Sequence, residues 1–224
     1  MSQTALQDYL KAIYKLQEAT GTEPGPKGDP ASTSALSERL EVAQGSVTGM
    51  LKKLAEKDYV TYEPYRGVKL TEKGREVAVQ TIRRHRIVEL FLVESLGFTW
   101  DEVDEEAEIL EHAVSEKVVD RMWEVLGRPL SDPHGSPIPS AEGIIEDGDA
   151  RPLTETPVGT PVRVTRIKNR SPEELRYLSA LGLDLGAIIT LEEKAPFNGP
   201  LLIRVDGDRH ALDYQFADSI LVRG

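Results

Sequence analysis

The chain has 224 residues, no cysteine and a formal net charge of −11 at pH 7. This length predicts two or three small domains, and the lack of cysteine excludes disulfides, iron–sulfur clusters and thiolate zinc sites. No apolar run reaches the roughly 18 residues that a membrane span needs, and the polar residues 1–4 lack the apolar core of a signal peptide, so we expect a cytoplasmic protein.

The first elements in the chain are a helix and a loop. Apolar residues at helical spacing predict a helix over residues 3–19. Residues 21–30 then contain three prolines and three glycines, which exclude a helix and predict a mobile loop.

The next elements predict a winged helix-turn-helix. Two helices are predicted over residues 35–40 and 44–57, the first after the capping residues 32–34. Two β-rich runs, at 59–62 and 68–70, lie on either side of a Pro/Gly turn and predict a hairpin. Helix, turn, helix and hairpin in this order are typical of that DNA-binding fold.

The second of these helices has the composition of a DNA-reading helix. Val47, Leu51 and Leu54 form its predicted buried stripe, and polar residues and lysines occupy its other faces. Gln, Ser and Thr side chains read base edges, and Lys and Arg contact phosphates. The predicted DNA-binding residues are Ser34, Gln44, Ser46, Thr48, Gly49, Lys52, Lys53 and Arg66. The alternative is an ordinary amphipathic helix in another small α+β domain.

The rest of the chain predicts helices and then a β domain. A long helix is expected over residues 71–96, and a further helix from about 99 to 121 that could continue into a short one over 119–126. Residues 127–152 are rich in structure-breaking Pro and Gly and predict a loop. Residues 153–224 alternate β-type runs with turns around one short helix, which predicts a small β-barrel.

Charge separates along the chain in the same order. Residues 39–86 contain eleven basic and six acidic side chains, whereas residues 101–127 contain ten acidic and two basic ones. A basic segment followed by a strongly acidic one fits a DNA-binding protein with a separate cation site. The alternative is that the acidic run is a solvated helix face.

Four metal-ligating side chains are predicted on one face of the helix over 99–121. They lie at offsets of four, seven and eight residues from the first, and are Asp104, Glu108, Glu111 and His112. His85 and Glu89 form a second pair one helical turn apart on the preceding helix. Carboxylates with imidazole and no thiolate suit Mn(II) or Fe(II). Taken singly, each pair is also compatible with a surface ion pair.

Catalysis is a weaker reading of the sequence. It contains no HExxH motif, nucleophile elbow, phosphate loop or cysteine nucleophile, and we predict no enzymatic activity. Three alternatives stay open: a winged-helix regulator that senses an organic ligand, a metallohydrolase with Glu111 as base, and a protein-interaction module in the C-terminal region.

Several motifs, in order and spacing, resemble the diphtheria toxin repressor and manganese transport regulator family of metal-dependent transcriptional repressors. They are DYLKAIYKL at 8–16, LTEKG at 70–74, RHRIVE at 84–89, EILEH at 108–112 and DPHGSPIP at 132–139. The C-terminal region is similar to the iron-transport A-type SH3-like domain, through LGLDLG at 181–186, APFNGPLLI at 195–203 and AL at 211–212. Together they cover essentially the whole chain.

The resemblance implies a mixed α and β fold with three domains. They are a winged helix-turn-helix DNA-binding domain over 1–72, a helical metal-binding and dimerisation domain over 73–135 and an SH3-like β-barrel over 153–224, and a linker over 136–152 joins the last two. The implied function is a metal-dependent repressor of metal homeostasis that binds a palindromic DNA operator as a homodimer.

The resemblance also implies the metal ligands. The primary site would use Asp8, Glu108, Glu111 and His112, and the ancillary site would use His85 and Glu89, with Asp104 and Glu174 at positions that provide ligands in some members. Glu174 is equally the last residue of a capping box that begins at Ser171.

Two departures from the family pattern bear on the metal. Glu108 and Asp8 stand where iron-type members have a cysteine and a methionine, and these harder donors favour Mn(II), with Fe(II) as the other candidate. Lys11 stands where manganese-type members have a second acid, so we expect two separated sites rather than a binuclear centre.

Overall fold

A computed structural model describes residues 2–145, 148–168 and 171–224. The chain divides into two compact units, Met1–Arg84 with Pro139–Ile144 and His85–Ile138 with Ile145–Gly224. Within the described residues, no helix is long and apolar enough to cross a membrane.

The first unit begins with three helices and a hairpin, in the order predicted. Its elements are α1 (Gln3–Ala19), α2 (Thr33–Arg39), α3 (Gln44–Glu56), β1 (Val60–Glu63) and β2 (Gly67–Leu70). The two strands pair antiparallel, with Val60 opposite Leu70. The predicted stripe of α3 is fully buried, and it joins a core of Leu10, Ile13, Leu36, Val47, Leu51, Leu54, Val68 and Leu70. The winged helix-turn-helix prediction is confirmed.

Residues 21–30 form no helix or strand, but they are folded around one side chain. Gln17 on α1 is fully buried. Its amide nitrogen donates to the carbonyls of Gly25 and Asp29, both at 3.0 Å, and its amide oxygen accepts from the Gly25 backbone at 3.2 Å. Arg75 also donates to the Pro24 carbonyl at 3.1 Å. The segment therefore differs from the mobile loop that its composition predicts.

The long helix α4 (Glu72–Leu96) starts at a cap and runs from the first unit into the second. The Thr71 hydroxyl accepts a hydrogen bond from the Gly74 backbone at 3.1 Å, which satisfies one of the open donors of the first turn. Gly74 lies so close to the hairpin that a Cβ atom there would collide with the Tyr59 carbonyl. This contact explains why a residue of low helix propensity stands near the helix start.

The second unit continues with two short helices, α5 (Val103–Leu110) and α6 (Glu116–Val125). The prediction of one helix from about 99 to 121 is wrong, because the chain turns between Leu110 and Glu116. The turn allows α5 to pack against one cluster around Leu92 and α6 to pack against another around Ile87. In one straight helix, the apolar residues of both segments would lie along the same line and could not pack against two separate clusters.

A six-stranded antiparallel sheet forms the rest of the second unit. Its strands are β3 (Arg151–Pro152), β4 (Pro161–Ile167), β5 (Ile188–Lys194), β6 (Leu201–Val205), β7 (Asp208–Leu212) and β8 (Ile220–Arg223), paired in the order β3-β8-β4-β5-β6-β7. Two helices accompany the sheet, α7 (Pro172–Ala180) and α8 (Tyr214–Asp218). The SH3-like architecture is as predicted, although these pairings leave the sheet open rather than closed into a barrel.

The close approach of Gly74 to Tyr59 makes a prediction about stability. Gly74→Ala should lower the free energy of unfolding by about 1–3 kcal/mol, because the new methyl group has to displace a backbone carbonyl. Gly49→Ala is the matched control: it lies inside α3 with open space around its Cα, so it should stabilise by about 0.5–1 kcal/mol. Urea denaturation followed by circular dichroism measures both, and equal effects would contradict the prediction.

Candidate metal centre

A buried histidine on α4 is surrounded by carboxylates. His85 is 5% exposed. Its Nδ1 lies 2.6 Å from Glu111 Oε2 and 3.9 Å from Glu108 Oε1. Its Nε2 lies 3.4 Å from Glu89 Oε1 and 3.3 Å from Asp104 Oδ1. The side chains of α4 and of the segment after Trp100 therefore concentrate negative charge at one point.

The electrostatics of this cluster favour a cation. Burial of the His85 imidazole opposes its protonation, but the carboxylates of Glu89, Asp104 and Glu111 outweigh burial and raise its pKa to about 10. Burial likewise opposes ionisation of Glu89, yet His85 and His134 hold the pKa of Glu89 below its ordinary value. Protonated His85 thus compensates part of the negative charge that buried carboxylates impose.

Three of the predicted primary ligands come together in the second unit. Donor atoms of Glu108, Glu111 and His112 lie within 4.8 Å of one another. The prediction that they share one helical face is wrong in part: Glu111 is the C-cap of α5 and His112 lies in the turn that follows. The turn, rather than continued helix, therefore brings the imidazole beside the Glu111 carboxylate, 3.5 Å away.

Three of the predicted ancillary ligands also lie at this cluster. His85, Asp104 and Glu108 form a second group with donor atoms within 4.8 Å of one another, and Glu89 contacts the same imidazole. Glu174 belongs to none of the groups found among the described residues. Its carboxylate accepts from the Ser171 backbone at 2.9 Å and completes the capping box of α7.

Asp8, the remaining predicted primary ligand, lies on α1 in the first unit. Its side chain is half-buried. The buried residues next to it, Gln7 and Tyr9, show that this stretch of α1 is packed rather than solvated.

A third group was missed by the sequence reasoning. Glu89, Asp132 and His134 also have donor atoms within 4.8 Å of one another. Asp132 Oδ1 accepts from the His134 and Ser136 backbones at 2.8 and 2.9 Å, which fixes the turn that carries both side chains. The available signal was the Asp-Pro-His spacing at 132–134, which places a carboxylate and an imidazole in one turn.

The orientation of His134 is typical of a metal ligand. Its Nε2 donates to the Trp100 carbonyl at 2.7 Å, and its ring stacks on the Trp100 indole with centroids 5.9 Å apart. This hydrogen bond occupies Nε2 and directs Nδ1 towards Glu89 Oε1, 3.7 Å away. Metal-binding histidines commonly donate their other ring nitrogen to a carbonyl in this way.

The donors in all three groups fit a hard or borderline divalent cation. They are carboxylate oxygens and imidazole nitrogens, and the chain has no cysteine to add a thiolate. Oxygen and imidazole ligands suit Mn(II) and Fe(II), and softer ions are favoured by sulfur. Glu89 and Glu111 are almost completely buried, which distinguishes the cluster from a solvated acidic face.

The predicted DNA-binding residues lie on the surface of the first unit. Ser34, Gln44, Ser46, Gly49, Lys52, Lys53 and Arg66 are exposed, and Thr48 is half-buried. The Thr48 hydroxyl donates to the Gln44 carbonyl at 3.0 Å. In the hairpin turn, Arg66 pairs with Glu63 at 3.2 Å beside the fully exposed Tyr65. α3 therefore presents polar and basic groups outward and keeps its apolar stripe inward.

Family comparisons match three successive parts of the chain. Residues 1–68 match the N-terminal DNA-binding domain of iron-dependent repressors, and residues 71–140 match their metal-binding and dimerisation domain. Residues 151–224 match the FeoA domain. We refer to this last part as the FeoA domain.

Individual relatives match over nearly their whole length. The iron-dependent repressor IdeR of Mycobacterium tuberculosis is 34% identical over 229 residues, covering 96% of this chain and 94% of that protein. A solved manganese-dependent transcriptional repressor in complex with manganese is 38% identical with a TM-score of 0.86. The match covers 97% of this chain and 98% of that one. ScaR with bound Cd²⁺ is 29% identical with a TM-score of 0.82, again covering 97% and 98%.

The family predicted by resemblance and the coarse function of a metal-dependent transcriptional repressor are confirmed. Members are DNA-binding regulators and not enzymes, so the metallohydrolase alternative falls away. Given the matched domains, the exposed reading helix and the buried carboxylate cluster, the chain belongs to the iron-dependent repressor family and is a metal-dependent transcriptional repressor.

Proposed function

We propose that this chain represses genes of metal homeostasis when Mn(II) is abundant, by binding a palindromic operator as a homodimer in the cytoplasm. The observation that carries the proposal is the set of buried carboxylates and imidazoles around His85, which contains no sulfur donor. A dimer with two reading helices needs half-sites about 34 Å apart, which is one turn of DNA.

Donor chemistry favours Mn(II) over Fe(II) as the co-repressor. Relatives include proteins named for iron and for manganese, and solved neighbours carry manganese or Cd²⁺. Glu108 occupies the position at which iron-type members place a cysteine, and exchange of sulfur for oxygen moves the preference towards the harder ion. Fe(II) is the second candidate because it accepts the same ligands.

We assign the metal ligands to two sites. The primary site uses Asp8, Glu108, Glu111 and His112. The ancillary site uses His85, Glu89 and Asp104, with Asp132 and His134 as further donors through their contact with Glu89. Asp8 is included on its residue type and its position in the family pattern. A capping role suits Glu174 better than a ligand role, since its carboxylate already serves the start of α7.

We also propose domain boundaries. They are 1–72 for the DNA-binding domain, 73–135 for the metal-binding and dimerisation domain, 136–152 for the linker and 153–224 for the FeoA domain. The prolines and glycines of the DPHGSPIP segment favour a boundary near residue 135.

The switch follows from the position of Asp8 on the helix that precedes the reading unit. A bound divalent ion supplies positive charge that offsets the repulsion between these carboxylates. Asp8, held together with Glu108 and Glu111, would restrict the orientation of the winged domain and favour the operator-binding arrangement. The metal concentration then shifts the equilibrium between two arrangements of the protein, because the metal binds one arrangement more tightly than the other.

Glu108→Ala tests the metal switch. It should weaken Mn(II)-dependent operator binding on the order of 10- to 100-fold, because it removes one ligand and leaves Glu111 and His112 with fewer partners. Binding is measured by fluorescence anisotropy on an operator selected with the unmodified protein, with and without Mn(II). Glu106→Ala is the control, since Glu106 is an exposed acid on the same helix and belongs to none of the metal groups among the described residues.

An equal loss of Mn(II)-dependent operator binding in Glu108→Ala and Glu106→Ala would indicate a general charge effect and contradict the primary metal site. Unchanged Mn(II)-dependent binding by Glu108→Ala would reject the primary site. DNA binding that ignores Mn(II) in the unmodified protein would favour a regulator that senses an organic ligand.

Lys52 and Gln44 should contribute to DNA binding in different ways. Lys52→Ala should weaken binding to all duplexes alike and reduce the slope of log K against log salt by about one, because it removes one phosphate contact. Gln44→Ala should instead relax the preference at one base position by about 1–3 kcal/mol. Lys117→Ala, at an exposed position on α6, is the control. A sequence-dependent effect of Lys52→Ala would contradict the assignment.

A further inference from the structure

The FeoA domain is attached to the segment before α5 by a charged contact. Arg176 on α7 donates to Asp101 Oδ2 at 2.8 Å. The Asp101 side chain is only 12% exposed, whereas that of Arg176 is 55% exposed. Asp101 directly follows Trp100, so the ion pair acts on the residue whose carbonyl and ring hold the His134 imidazole.

Trp100 contacts both His134 and the FeoA domain. Its carbonyl accepts from His134 Nε2 at 2.7 Å, and its indole stacks on the imidazole at an interplanar angle of 19°. The same indole packs against the hydrophobic core of the FeoA sheet, which includes Val164 and Ile189. The orientation of His134 Nδ1 towards Glu89 is thus set by a residue that is itself held by the FeoA domain.

The turn that carries Asp132 and His134 also contacts β4 directly. The Ile167 backbone donates to the His134 carbonyl at 2.9 Å. Gly135 has a φ of +82° and lies so close to the strand that a Cβ there would collide with the Thr165 carbonyl. His134 is therefore bound to the FeoA domain through its backbone and positioned through Trp100.

We propose that Trp100, Asp101 and Arg176 are positioning residues that couple metal binding at Glu89, Asp132 and His134 to attachment of the FeoA domain. The proposal rests on the assignment of that group to the ancillary metal site. The Asp101–Arg176 pair holds Trp100, Trp100 holds the His134 ring, and the ring presents Nδ1 to Glu89. Because coupling between two binding events is reciprocal, metal at this group strengthens FeoA attachment by the same factor.

The test compares Arg176→Gln with Arg209→Gln in the full-length protein. Arg209 is a matched control: its side chain is 54% exposed and pairs with Glu192 at 2.8 Å in the same domain. Mn(II) binding is followed by the electron paramagnetic resonance signal of the free ion. The Glu89→Gln variant identifies the Mn(II) sites that contain Glu89, because it should lose them. Arg176→Gln should lower the Mn(II) affinity of these sites about two- to fivefold, the range for a partly exposed ion pair. Arg176→Lys should restore part of this affinity.

Hydrogen exchange at the Ile167 amide provides the reciprocal readout. Mn(II) should slow this exchange in the unmodified protein and in Arg209→Gln, and slow it less in Arg176→Gln. If Arg176→Gln lowers thermal stability but leaves Mn(II) affinity and the effect of Mn(II) on exchange unchanged, the coupling is overturned and the pair is only structural. If the Glu89→Gln variant loses no Mn(II)-binding sites relative to the unmodified protein, the assignment of the ancillary site is wrong. The proposed coupling is then wrong as well.

Discussion

Repulsion between carboxylates around one buried imidazole is the interaction on which the rest of the structure depends. Four carboxylates approach the ring nitrogens of His85 to 2.6–3.9 Å, and two of them are almost completely buried. Burying charge without compensation is costly. The protonated imidazole offsets part of that cost, and a divalent cation offsets more. We therefore propose that metal acts at this cluster.

The fold brings the proposed ligands together by ending helices rather than by extending them. α5 stops at Leu110, so Glu111 and His112 lie in the turn that follows, where Glu111 contacts His85 on α4 and His112 lies beside Glu111. A second turn, held by Asp132, carries His134 to Glu89 on the same helix. α4 supplies His85 and Glu89 one turn apart, and shorter segments around it supply the other side chains of the cluster.

The sequence predicted much of the fold because local patterns determine it. The buried stripe of α3, the Thr71 cap and the capping box at Ser171 all depend on neighbours within a few residues. The break after Leu110 escaped prediction because apolar spacing continues through the turn. The Asp132 and His134 group escaped because its third member, Glu89, is distant in sequence. The order in residues 21–30 depends on the buried amide of Gln17 and on Arg75, which composition cannot reveal.

Metal control of DNA recognition is the central claim, and selection of operators from random duplex DNA tests it most directly. The full-length protein would be incubated anaerobically with the library in the presence of Mn(II), of Fe(II) and of a chelator, and the bound duplexes sequenced. A palindromic sequence should be enriched with metal, most strongly with Mn(II), and should disappear with chelator. Equal enrichment of the same sequence with chelator would contradict the account, since the carboxylate cluster would then have no influence on DNA binding.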